Sequence, residues 1–121
     1  DENGVREEIR RTWAENHYLM DTHTAVASAV LRAYQAQTGD TRQSVIVSTA
    51  SPYKFGASVL GAVAGQKACD GLDDFACCRA LAELTGTREP AQILALPDLP
   101  IRHTAVCEKD KMAQAVLDAV K

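Results

Sequence analysis

Ser44-Val45-Ile46-Val47-Ser48-Thr49-Ala50-Ser51-Pro52-Tyr53-Lys54-Phe55 is the stretch on which the reading of the fold turns. Val45 to Val47 is an unbroken β-branched run between polar residues, the pattern of a strand buried on both faces. Pro52 cannot extend a central strand. An apolar helical pattern begins at about Phe55 and runs to Val63. The expectation is a strand, a hydroxyl-rich turn and a helix. In open α/β sheets, ligands are met just beyond the carboxyl ends of the strands, which is where Ser48, Thr49 and Ser51 would stand. The same hydroxyls have a plainer reading as caps for the first amides of the helix. Both readings stay open at this level.

Working outward, residues 5–16 read as a first helix, with Val5, Ile9 and Trp13 on one face and Thr12 beside them. Asp21 or Thr22 is a suitable N-cap for a second helix over residues 23–37, and Gly39 is placed to close it. Helical patterns recur over residues 72–85 and 109–120, with a short turn opened by Pro90. Ile101 to Val106 is a second strand candidate. The expected class is therefore α/β, mostly helical. About five helices surround one or two short strands, in a single domain over residues 1–121. Two strands make a poor independent sheet, and a strand apolar on both faces belongs inside a larger one. The chain is expected to be a portion of a larger α/β protein.

Composition removes several function classes. A net charge of -3 with no basic run argues against a nucleic-acid surface. No apolar stretch is long enough to cross a bilayer. Asp1-Glu2-Asn3-Gly4 has none of the character of a secretory leader. A cytoplasmic setting is expected. Cys69, Cys77, Cys78 and Cys107 fit neither a zinc site nor a redox pair, and are expected as buried, reduced thiols. His17, His23 and His103 are too far apart for a recognised metal motif, so no metal is expected. Gly56, Gly61 and Gly65 do not form a phosphate-binding fingerprint. Lys54 reads as a solvated lysine, because nothing around it enforces the desolvation that a Schiff-base lysine needs. No catalytic residue is assigned from spacing.

Three segments, in order, resemble threonine synthase. Asp21-Thr22-His23-Thr24-Ala25-Val26 is similar to that family's Asp-Pro-His-Thr-Ala-Val segment. Ser48-Thr49-Ala50-Ser51-Pro52-Tyr53-Lys54-Phe55 resembles its Ser-Thr-Ala-x-Pro-x-Lys-Phe segment. Val106-Cys107-Glu108-Lys109-Asp110-Lys111-Met112 resembles the charged turn before its last helix. Thr22 replaces a common proline, and Ser51 a common histidine.

The resemblance implies the C-terminal portion of a pyridoxal-phosphate-dependent lyase of tryptophan-synthase-like fold. Such an enzyme makes threonine and phosphate from O-phosphohomoserine and water. It implies that Thr49 meets the cofactor's pyridine nitrogen and that His23, Thr24, Ser48 and Ser51 lie near the pocket. The cofactor lysine and the glycine-rich phosphate loop would lie upstream, in the remainder of the same enzyme chain, leaving this portion inactive alone. A reading from another class is a small stand-alone helical binding or interaction module. The length of the open reading frame separates the two.

Overall fold

A computed structural model describes residues 1–120. Among them the regular structure is helical throughout: α1 (Glu2–Asn16), α2 (Thr22–Thr38), α3 (Gly56–Ala64), α4 (Asp74–Thr85), α5 (Ala91–Ala95) and α6 (Met112–Ala119), joined in places by short 3-10 turns. Side chains and glycines set the helix ends. The Asp1 carboxylate accepts from the Gly4 amide, Asp21 caps α2, and Asp73 accepts from the Ala76 amide at 2.7 Å to start α4. Gly39 and Gly86 close α2 and α4 in the left-handed conformation, where a Cβ would be strained.

The α/β expectation is overturned, because no strand occurs among the described residues. Residues 45–47 run without regular structure, and Val45 and Val47 are 85% and 74% exposed. Ile101 to Val106 is also irregular and exposed throughout. The physical reason is that a strand cannot satisfy its own backbone. Its amides and carbonyls need a neighbouring strand, and neither apolar run provides one for the other. A helix has no such need, since its bonds close within the segment.

The core lies among the first four helices. α1 packs on α2 and on α3, and α3 packs on α4. Ile9, Ala25, Val59, Leu60, Cys77 and Leu81 are buried together, with Trp13 and Phe55 packed against them. α3 and α4 cross closely at Gly56, where an added Cβ would fall 2.5 Å from Cys78 Sγ. The small residue permits that approach.

α1 and α2 are also joined by a buried carboxylate. Glu8 is fully buried; it accepts from Ser28 Oγ at 2.7 Å and pairs with Arg11 at 2.6 Å and Arg32 at 3.2 Å. Burial pulls the Glu8 pKa up, but the bonds from Ser28 and Arg32 and the neighbouring positive charges outweigh it, leaving it below the usual value.

α6 and the segment before it contribute nothing to this core. Met112, Val116, Leu117 and Val120 are all exposed.

Candidate functional site

The site is built where α2 begins. Asp21 is fully buried at the N-cap position. Its Oδ1 accepts from the amides of His23 at 2.8 Å and Thr24 at 3.2 Å, the ordinary work of a cap. Its Oδ2 turns the other way, toward the hydroxyl of Thr24 and, at 3.3 Å, that of Ser48. Thr24 Oγ1 and Ser48 Oγ lie 3.0 Å apart. Counting hydrogens fixes the directions. An ionised carboxylate only accepts, so Thr24 gives its one hydrogen to Asp21. Ser48 then donates into the Thr24–Asp21 pair. Burial favours a neutral Asp21, yet the bonds from Thr24, His23 and Ser48 prevail and its pKa falls below the usual carboxylate value.

This network fastens the extended segment that follows Val47 to the start of α2. Three residues further on, Ser51 Oγ accepts from the Tyr53 amide at 3.3 Å and caps the 3-10 turn Pro52–Phe55. Tyr53 is buried. Its hydroxyl meets Thr87 Oγ1 at 2.6 Å and the Thr87 carbonyl at 3.2 Å, and its carbonyl accepts from Cys78 Sγ at 3.2 Å. Residues 48–53 are thus anchored at both ends.

The three hydroxyls that the sequence left undecided take three different roles. Ser51 is a cap and Ser48 a long-range tether. Thr49, between them, is exposed and makes no hydrogen bond with the other described residues.

The other expected pocket residues have different surroundings. The His23 ring is exposed, packs against Phe55 at 5.0 Å between ring centroids, and lines a cleft of about 340 Å³ with Val5, Arg6, Thr22 and Ser58. Ser51 borders a separate cleft beside Tyr53 and Thr87. Thr24 is buried within the network. Lys54 is exposed.

The cysteines are free thiols. Cys77 and Cys78 are buried, and burial raises their pKa values. Cys69 is half-buried and donates to the Ala57 carbonyl at 3.2 Å. Cys107 departs from the expectation of four buried thiols and is exposed, as is the irregular segment that carries it.

Two features escaped sequence reasoning. The cap at Asp21 was legible, but its tether to Ser48, 27 residues away, was not. The Tyr53–Thr87 bond, across 34 residues, leaves no local signal either. Among the described residues no helix is long and apolar enough to cross a membrane.

A family model described as "Threonine synthase, C-terminal" matches residues 24–116. The match includes Thr24, Ser48, Thr49 and Ser51. No curated protein matches the chain.

Proposed function

Since this chain belongs to the threonine synthase C-terminal family, we propose that it is the cofactor-side portion of a pyridoxal-phosphate-dependent lyase. That enzyme converts O-phosphohomoserine and water to threonine and phosphate.

The observation that carries the assignment of Thr49 is its uncommitted hydroxyl, presented on a segment anchored on either side. The donor fits one end of the cofactor. An unprotonated pyridine nitrogen accepts a hydrogen bond, and a neutral hydroxyl donates one without surrendering its proton. When bound, the cofactor supplies an electron sink for carbanionic chemistry. Thr49 would set how strong that sink is, since a hydroxyl would leave the ring nitrogen unprotonated where a carboxylate would favour protonation.

The remaining residues position and enclose. Ser48 and Thr24 hold the segment to α2, Ser51 starts the turn after it, and His23 with Phe55 forms a wall beside it. No residue of this chain is assigned a proton-transfer step. The lysine that carries the cofactor and the loop that holds its phosphate belong to the upstream remainder of the enzyme. That remainder is the partner that covers Val45 and Val47. The chain alone is therefore inactive, and the enzyme works in the cytoplasm with its thiols reduced.

Thr49→Val in the full-length enzyme tests this reading, because it keeps the shape and removes the donor. A hydrogen bond of this kind contributes about 0.5–1.5 kcal/mol, and more when its partner is left buried and unsatisfied. A loss of kcat of roughly 10-fold or more is expected, with a changed cofactor absorption spectrum. Unchanged turnover and an unchanged spectrum would reduce Thr49 to a surface hydroxyl.

A further inference from the structure

Asp21 does more than a helix cap requires. A cap uses one carboxylate oxygen on the first free amides, and Oδ1 does that with His23 and Thr24. The second oxygen is normally left to solvent at a surface helix end. Here it is fully buried and receives two hydroxyls, one from Thr24 and one from Ser48 in a distant segment. Ser48 is the immediate neighbour of Thr49. Withdrawing the Ser48 side chain from this network would free the peptide that carries the Thr49 hydroxyl, while the anchor at Ser51 and Tyr53 lies on the far side.

We propose that Asp21, acting through Thr24 and Ser48, is a positioning residue that fixes where the Thr49 hydroxyl points. The proposal rests on the reading of Thr49 given above and extends it to residues that never touch the cofactor. The order of donation follows from the count of hydrogens, since Thr24 has one and an ionised carboxylate only accepts. Thr24 gives its one hydrogen to Asp21, and Ser48 then donates to the Thr24 hydroxyl oxygen or to Asp21, so both hydroxyls are committed to the buried carboxylate's network. The Thr49 hydroxyl makes no bond to this network. It stays available for an outside acceptor, on a backbone tethered at the neighbouring Ser48.

The arrangement also separates the two jobs of Asp21. Asp21→Asn keeps an oxygen for the amides of His23 and Thr24, so the cap survives. The other atom becomes an amide nitrogen, which donates and cannot receive the two hydroxyls. Ser48→Ala cuts the same tether from its exposed end, where the fold depends on it least.

The test uses the full-length, cofactor-loaded enzyme with four variants: Ser48→Ala, Ser48→Thr, Asp21→Asn and Thr49→Val. Ser48→Ala is expected to lower kcat and cofactor affinity by about 3- to 10-fold, as for one lost hydrogen bond. It should also shift the cofactor absorption band in the same direction as Thr49→Val, with a melting temperature lowered by no more than the loss of one hydrogen bond explains. Ser48→Thr, which restores a hydroxyl, should restore all three readouts. Asp21→Asn combined with Ser48→Ala should be no worse than the poorer single variant, because both cut one tether.

If Thr49→Val is damaging while Ser48→Ala behaves as wild type, the tether is dispensable. The proposal then fails and the assignment of Thr49 stands. If Thr49→Val is silent, both fail together. A Ser48→Ala defect that Ser48→Thr does not restore would also overturn it, since the hydroxyl would not be the cause. Should Asp21→Asn not fold, the Ser48 pair decides alone.

Discussion

Residues 45–47 and helix α3 are both apolar, and they meet opposite fates. Val59 and Leu60 are 0% and 2% exposed, while Val45 and Val47 are 85% and 74% exposed. Hydrophobicity does not separate them; backbone hydrogen bonding does. α3 closes its bonds within itself and can be carried whole into a core. An extended run must find a second strand before its apolar side chains can be buried without orphaning its amides. The described residues offer none. The chain therefore divides into a helical body that holds itself together and apolar segments, near Val45 and along α6, that stay exposed.

The sharpest way to break this division is to attack the body. Leu81→Ala removes a fully buried side chain from the core among α1 to α4. It is expected to cost about 2–5 kcal/mol in denaturant unfolding, the range for such cavities. A cost near zero would mean that the body is not a close-packed core.

Acid probes the polar joints of the same body. Asp21 and Glu8 titrate below their ordinary values of 3.8 and 4.5 when folded. Their stabilisation is fully present above the ordinary carboxylate range. It is lost as pH falls through the lowered folded values, where protonation releases the partners. Thermal melting is expected to hold steady near neutrality and to fall steeply below about pH 4. Asp21→Ala, which removes both cap and tether, is expected to cost about 1–2 kcal/mol at neutral pH. Much of the acid sensitivity should go with it. An acid limb unaltered by that change would remove Asp21 from the account.

The smallest effect is expected on the uncovered side. Val47→Thr in this chain alone should change stability by no more than about 0.5 kcal/mol, as for an exposed site. In the full-length enzyme it is expected to cost more if, as proposed, the upstream remainder covers the side chain.

The same division explains what the amino-acid pattern could convey. Helix periodicity, the Asp73 cap and the closing glycines Gly39 and Gly86 are local signals, and each helix they mark is present within a few residues. The β-branched run at Val45 misled because its fate depends on a neighbour that no local pattern encodes. The site was legible in the same measure. Ser48, Thr49 and Ser51 drew attention through composition and position, but their division into tether, free donor and cap required tertiary partners. Of these partners, Asp21 lies 27 residues from Ser48. Glu8 escaped for a like reason. Nothing local on α1 marks it as buried, and only the approach of Ser28 and Arg32 from α2 makes it a buried joint.

Backbone hydrogen exchange on the chain alone tests the division most directly, because it reads each amide's bonding rather than its hydrophobicity. The amides of residues 45–47 are expected to exchange at nearly unprotected rates, while those in the interior of α3 are retained at least about a hundredfold longer. Protection at residues 45–47 comparable to that in α3 would show that the run has found a partner within the chain. That result would contradict the account of an uncovered segment awaiting the rest of the enzyme.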